Sequence, residues 1–228
     1  MPLPPWLKIR PPTQKFETIK KTLRTIGLTT VCEEAHCPNL AECWSGGTAT
    51  FMLMGDTCTR GCRFCAVKTG NPKRALDLKE PEKLAEAIEK FAREHGLNYA
   101  VITSVARDDL PDGGARHIAN CLNAVHKKTP HVLIEVLIPD FRGKKDALQT
   151  VLNAQPTVLA HNIETTERLT PYVRDGHAQY RQSLELLKNA KQIEIAKTAA
   201  QTRRLYTKSS LMLGLGETEE ELIQTFKD

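Results

Sequence analysis

Apolar positions along this chain alternate between two spacings. Phe16, Ile19, Leu23 and Ile26 lie three and four residues apart and predict a short amphipathic helix ending at Gly27. Residues 32–47 interrupt that order with Cys, Pro, Asn and a Gly pair, and read as irregular. Residues 50–54 form a short apolar run that fits a buried strand. Helices and strands then take turns. Residues 81–95 predict a helix, with Pro81 at its start and Gly96 after its end. A strand over 98–105, a helix over 114–128, a strand over 132–138 and a helix over 144–153 follow. Next come a strand over 157–163, a helix from 178 to about 190, a strand over 206–213 and a helix beginning at Thr218. Residues 191–204 are polar and basic without a clear stripe, and read as a helix extension or an insertion. Near-continuous apolar strands are covered on both faces, so the five β-α units predict an α/β fold with a parallel sheet.

Composition narrows this picture. The chain has 228 residues, 40% of them hydrophobic, which suits one domain of barrel size and excludes a disordered chain. No apolar run approaches the roughly 18 residues of a membrane span. Met1 to Trp6 lacks the basic-then-apolar pattern of a secretion signal, so a cytoplasmic chain is expected. The net charge of +5 is concentrated at the N-terminus. Residues 1–30 hold six basic residues and one acid, and the rest of the chain is balanced. Such an arm suits an acidic partner or nucleic acid, or is a solvated leader.

Six of the seven cysteines fall between positions 32 and 65. A disulfide framework belongs to oxidising compartments and core-poor domains. Structural zinc favours paired C-x2-C knuckles, and only Cys62 and Cys65 have that spacing. Iron–sulfur ligation suits clustered thiolates in an intracellular chain. The six divide into Cys32-x4-Cys37-x5-Cys43 and Cys58-x3-Cys62-x2-Cys65. Three thiolates leave one iron of a four-iron cluster open, as a catalytic metal site requires. The second triplet follows the first strand of the alternating region, on the rim where α/β folds bind ligands. Cys121 falls on the apolar side of its helix and reads as a small core residue. His36 reads as neighbouring the first triplet rather than ligating. The pair Gly214 and Gly216 reads as a close turn over the site, and Asp108 and Asp109 as turn caps before Pro111, with ligand contact as the alternative.

Cys58-x3-Cys62-x2-Cys65, with Phe64 before the last cysteine, resembles the cluster loop of radical S-adenosylmethionine (SAM) enzymes. The upstream triplet, within residues 31–44, resembles the auxiliary-cluster motif of the lipoyl synthase family. So do Gly47 to Phe51, Thr103 to Gly114, His161 to Thr165 and Thr207 to Thr218. The resemblance runs from about Pro5 to Asp228.

It implies a partial TIM-type barrel of β-α units (residues 48–228) behind an arm and auxiliary-cluster segment (residues 1–47). It implies two four-iron, four-sulfur (4Fe–4S) clusters. One would be held by Cys58, Cys62 and Cys65 and would chelate SAM. The other, on Cys32, Cys37 and Cys43, would be the sulfur source. Phe64, Ser104, Asn162, Glu164 and Arg174 would contact SAM, with Arg174 suited to its carboxylate. SAM cleavage would give a 5′-deoxyadenosyl radical that abstracts hydrogen from C6 and C8 of an octanoyl-lysyl group. The cofactors carry that chemistry, without a side-chain acid or base. Implied partners are octanoylated lipoyl carrier domains, of the 2-oxoacid dehydrogenase or glycine cleavage H protein type, and an electron donor such as flavodoxin or ferredoxin. The chain departs from the family in showing five strands where the family has six, and in lacking a terminal serine-rich motif. A fragment is the favoured explanation over a truncated, inactive product. The rival readings are another radical SAM sulfur-inserting enzyme and a cysteine-rich module binding metal and nucleic acid.

Overall fold

The structure, a computed structural model, describes residues 13–26, 29–34, 37, 39–46, 50–197 and 204–228. His36 and most of the proline-rich arm lie outside them. The first helix, α1 (Gln14–Ile26), buries Phe16, Ile19 and Leu23, so part of the basic leader is a core element. Strand β1 (Thr29–Thr30) follows. Residues 32–47, expected to be irregular, contain two short helices, α2 (Val31–Glu34) and α3 (Leu40–Gly46). Their signal was hidden because each is two turns or less, too short for a periodic stripe.

After β2 (Thr50–Leu53), a two-stranded ribbon of β3 (Thr57–Cys58) and β4 (Lys68–Thr69) interrupts the chain. The alternation follows as α4 (Glu80–His95), β5 (Tyr99–Ser104), α5 (Ala115–Lys128), β6 (Leu133–Leu137), α6 (Lys145–Asn153) and β7 (Val158–Ala160). Then come α7 (Thr170–Val173), α8 (Tyr180–Lys197), β8 (Tyr206–Lys208) and α9 (Glu219–Lys227). Pro81 opens α4, and Gly96, at φ 68°, closes it with backbone bonds back to the last turn. Thr218 and Glu221 form a capping box on α9. The polar stretch after residue 190 proves to be helix as far as Lys197.

The main sheet has the order β1-β2-β5-β6-β7-β8, with β1 antiparallel and every other pair parallel. Strand residues alternate between the two faces. Phe51, Leu53, Ala100, Ile102, Ile134, Val136 and Leu159 are at most 1% exposed and belong to the core shared with α4, α5 and α6. Met52, Thr103 and Leu137, in register with one another, line the opposite, concave face. The outer helices pack in sequence, α4 on α5, α5 on α6 and α6 on α8. The sheet does not close on itself among the described residues. Its last strand, β8, is exposed throughout, and α9 buries no residue.

Candidate active site

The chain leaves β2 through Met54 and Gly55, both at positive φ (67° and 92°). A non-glycine residue in that region is held there by its surroundings. The Glu80 carboxylate accepts the Met54 N–H at 3.0–3.1 Å and also meets the His117 ring. The Met54 side chain fills the space beside Gly114, where a Cβ would stand 2.4 Å from its sulfur.

The loop that follows carries Cys58, Cys62 and Cys65 and is closed by the β3–β4 ribbon. Arg60, between the first two cysteines, is its anchor. Its Nε and Nη2 donate to Asp108, and its Nη1 and Nη2 donate to Asp140, all at 2.7–2.9 Å. Both contacts are bidentate, and the three side chains are 6%, 12% and 0% exposed. Burial works to raise both carboxyls, but the guanidinium outweighs it and holds them below the usual carboxylate range. Thr59 adds a bond to the Asp108 backbone. Farther on, Asp175 accepts the Gly61 N–H, and Arg63 N–H donates to the Val173 carbonyl. The loop is thereby tied to the ends of three other β-α units.

Sulfur atoms within the loop accept backbone N–H groups. Cys58 Sγ takes those of Arg60 and Ala106 (3.4 and 3.3 Å), and Cys62 Sγ takes that of Asp175 (3.3 Å). A cavity of about 330 Å³ opens on them at the strand ends. Cys58, Cys62 and Cys65 line it, together with all five residues expected from the sequence: Phe64, Ser104, Asn162, Glu164 and Arg174. The Ser104 hydroxyl is buried without a partner among the described residues. Arg174 Nη1 donates to the Ile163 carbonyl and to Ser183 Oγ. The remaining Arg174 donors are unpaired among the described residues. His161 continues that chain. Its Nδ1 must donate to the Ile138 carbonyl, so Nε2 accepts from Ser183. Burial pushes the His161 pKa down to about 4, which keeps the ring neutral.

The other three cysteines lie on the N-terminal helices. Cys32 is on α2, Cys43 is on α3, and Cys37 lies between, its N–H bonded to the Cys32 carbonyl. Cys32 and Cys37 line a second cavity of about 430 Å³. Val31 borders the first cavity and its neighbour Cys32 the second, so the two triplets adjoin. Trp44, fully buried against Phe16, leaves its indole N–H unpaired among the described residues, next to Cys43 in the chain. Burial, then the neighbouring Cys32 and Cys37, push the Cys43 thiol up, and burial pushes the Cys62 thiol up. A bound iron reverses both effects. All seven cysteines are free thiols. The free thiols of Cys58, Cys62 and Cys65, with backbone N–H groups aimed at two of the sulfurs and the orphaned Ser104 hydroxyl on the same cavity, fit an iron–sulfur cluster.

Several sequence expectations change here. Asp108 and Asp109 do not cap the turn before Pro111. Each is paired with an arginine, Arg60 and Arg107, and Asp112 caps the next turn instead. Gly214 and Gly216 adopt φ of 91° and 102° but approach nothing among the described residues, so there they serve the turn and not a close contact. Cys121 is buried as expected, yet it adjoins Glu80 and His117. That trio is a poor cation site. The Glu80 oxygens are engaged by Met54 and His117, and burial, with Glu80 nearby, pushes the Cys121 thiol up. Sequence reasoning missed Arg60, Asp140, Glu80 and His117, whose partners are 26 to 80 residues away.

A parallel β-α sheet carrying a three-thiol loop at its strand ends defines the radical SAM class. The family model described as the Radical SAM superfamily matches residues 52–228, and that of the N-terminal domain of lipoyl synthase matches residues 1–37. A crystal structure of methylornithine synthase shares the fold, with a TM-score of 0.56 over 92% of this chain and 56% of that one, at 14% identity. The mitochondrial lipoyl synthase of Culex quinquefasciatus is 53% identical over 99% of this chain and 58% of its own length. The lipoyl synthase of Myxococcus xanthus is 53% identical over 99% of this chain and 72% of its own length. The chain belongs to the lipoyl synthase family. It spans about three-fifths of the length of its insect relatives. Membership of the radical SAM superfamily brings with it SAM and a 4Fe–4S cluster. No helix among the described residues is long and apolar enough to cross a membrane.

Proposed function

We propose that the chain inserts two sulfur atoms at C6 and C8 of an octanoyl group carried on the lysine of a lipoyl domain. The observation that carries this reading is the pair of adjoining cavities, each bordered by its own set of free cysteines. A cluster held by Cys58, Cys62 and Cys65 would supply the electron for SAM cleavage, and one held by Cys32, Cys37 and Cys43 would supply the sulfur. The chain's own residues orient and exclude. Arg60 and its two carboxylates fix the curvature of the first loop. The unpaired donors of Arg174 suit the SAM carboxylate, and the orphan Ser104 hydroxyl and the Asn162 and Glu164 side chains suit its polar groups. The backbone beside Phe64 suits part of the adenine edge. The apolar residues Met52, Val105, Leu137 and Ile138 of the cavity wall suit an alkyl chain and keep water from a radical. Cys32, Cys37 and Cys43 hold the sulfur source, and we assign residues 1–47 to that segment and 48–228 to the SAM core. The cytoplasm is the proposed compartment, because thiolates persist where thiol reductants protect them.

The test is anaerobic incubation of the reconstituted chain with SAM, a reductant and an octanoylated carrier domain. Cys62→Ala abolishes 5′-deoxyadenosine formation. Cys37→Ala retains it and ends sulfur insertion. Equal loss of cleavage in both variants refutes the division of labour. Bound zinc without sulfide refutes the iron–sulfur reading.

A further inference from the structure

We propose that Ser183, itself oriented by His161, is a positioning residue that presents the Arg174 guanidinium to the carboxylate of SAM. This deepens the functional reading and rests on it. Ser183 lies in the first turn of α8, is fully buried and does not line the cavity at the strand ends, so it acts there only through another residue. Arg174, which caps the end of α7, does line that cavity. Arg60 and Arg174 are equally buried, each 7% exposed. Arg60 is met by two carboxylates, whereas Arg174 forms no ion pair among the described residues. Burial lowers the Arg174 pKa, and Glu164 and Asp140 oppose that without reaching it as ion pairs. Burying a guanidinium without a counter-ion is costly, so one on a cavity wall marks a place for an anion.

The bonds Arg174 does make are confined to one nitrogen. Nη1 donates to the Ile163 carbonyl at 3.3 Å and to Ser183 Oγ at 2.9 Å. Both Nη1 hydrogens are thereby used, and the Nε–H and Nη2–H groups remain. The same two groups on Arg60 take the Asp108 carboxylate side-on at 2.8–2.9 Å. The edge of Arg174 that matches a carboxylate is therefore the one kept free. What fixes Nη1 is a chain of bonds that runs one way. The Ile138 carbonyl can only accept, so His161 Nδ1 donates to it at 2.8 Å. The ring is neutral, its pKa held down to about 4 by burial, so its Nε2 can only accept. Ser183 donates its hydroxyl hydrogen to that nitrogen at 2.8 Å and turns a lone pair to Arg174. A freely rotating hydroxyl would also point its hydrogen at the guanidinium, and His161 removes that choice. The next residue supplies the register. Asp175 N–H donates to Cys62 Sγ at 3.3 Å, and its carboxylate accepts the Gly61 N–H at 3.0 Å. Asp175 thus sets where Arg174 stands against the cysteine loop, and Ser183 sets how its guanidinium is turned. A ligand gripped by both the loop and the arginine needs both constraints.

The experiment measures SAM binding by equilibrium dialysis to the reconstituted chain and to its Ser183→Ala, Arg174→Met and double variants, with iron and sulfide determined for each. Ser183→Ala should weaken SAM binding about tenfold at wild-type iron and sulfide content. In the Arg174→Met background it should change the affinity by less than about twofold, because Ser183 then has nothing to aim. Decarboxylated SAM, which keeps the nucleoside, sulfonium and amine, should bind wild type and Ser183→Ala alike. His161→Leu should reproduce the carboxylate-selective loss. Unchanged SAM affinity in Ser183→Ala or in His161→Leu overturns the proposal. So does a loss that persists undiminished in the Arg174→Met background, one shared equally by decarboxylated SAM, or one accompanied by loss of iron and sulfide, since each marks a general packing defect. A reconstituted wild type that binds no SAM defeats the functional reading, and this proposal falls with it.

Discussion

Replacing Arg60 by Met should be among the most damaging single changes outside the cysteines. The substitution roughly preserves length and apolar bulk but deletes the cation between Asp108 and Asp140. Four charge-assisted hydrogen bonds disappear. Taken singly, at about 1.5–3 kcal/mol each, they sum to more than breaking a buried pair usually costs. The carboxyls have an escape that limits the loss, because they can bind protons. Lifting an ordinary carboxyl near pKa 4 to neutrality at pH 7 costs about 4 kcal/mol. Breaking a buried ion pair from one side costs about 3–5 kcal/mol, and the two figures agree. The expected loss is therefore about 3–5 kcal/mol, a third or more of the stability of a typical domain. The pH dependence carries the stronger test. In the wild type both carboxyls titrate below their unfolded value, so the clasp's contribution is complete above about pH 4 and is lost on further acidification. In the variant Asp140 loses its ion pair and Asp108 keeps only the half-exposed Arg142, 3.5 Å away, so burial should lift both carboxyls above the unfolded value. Its folded state then binds more protons, and its stability should rise between about pH 7 and 5 relative to wild type. Urea denaturation of the cluster-free chain across that range, followed by circular dichroism, reads both numbers. A loss under about 1 kcal/mol, or pH slopes of the same sign and size, would show that solvent and not Arg60 neutralises these carboxylates.

Gly114→Ala places a Cβ 2.4 Å from the Met54 sulfur at a φ of 86°, and should lower urea stability by about 2–3 kcal/mol. Glu80→Ala strands the Met54 N–H and the buried His117 ring, and should lose about 2–3 kcal/mol in the same assay. Retention of wild-type stability would mean the strained turn needs no support. His161 titrates near 4 when folded and about 6.5 when unfolded, so its contribution is complete above pH 6.5 and is lost as pH falls toward 4. His161→Gln should flatten the stability profile in that window. Ser104→Val should weaken SAM binding about tenfold, measured by equilibrium dialysis, while leaving cluster content intact, since its hydroxyl has no partner among the described residues.

Local information sufficed for much of this. The two cysteine spacings, the helix at 14–26, the Pro81 and Gly96 boundaries of α4 and the parallel character of the sheet follow from patterns a few residues long. Such patterns are set by backbone sterics and by which face of an element must be buried. The short helices α2 and α3 escaped because a helix of one or two turns leaves no period to read.

Long-range pairing had to come from the tertiary structure. Arg60 meets Asp140 across 80 residues, His117 meets Glu80 across 37, and Asp175 meets Cys62 across 113. Nothing in the local sequence distinguishes Asp108 the arginine partner from Asp112 the turn cap. The choice depends on which loops the parallel sheet brings to one rim. The sequence by itself determined which atoms can bind metal and which segments become strand or helix. The tertiary structure decided which buried charges neutralise one another, because a charge removed from water must find its partner in space and not along the chain.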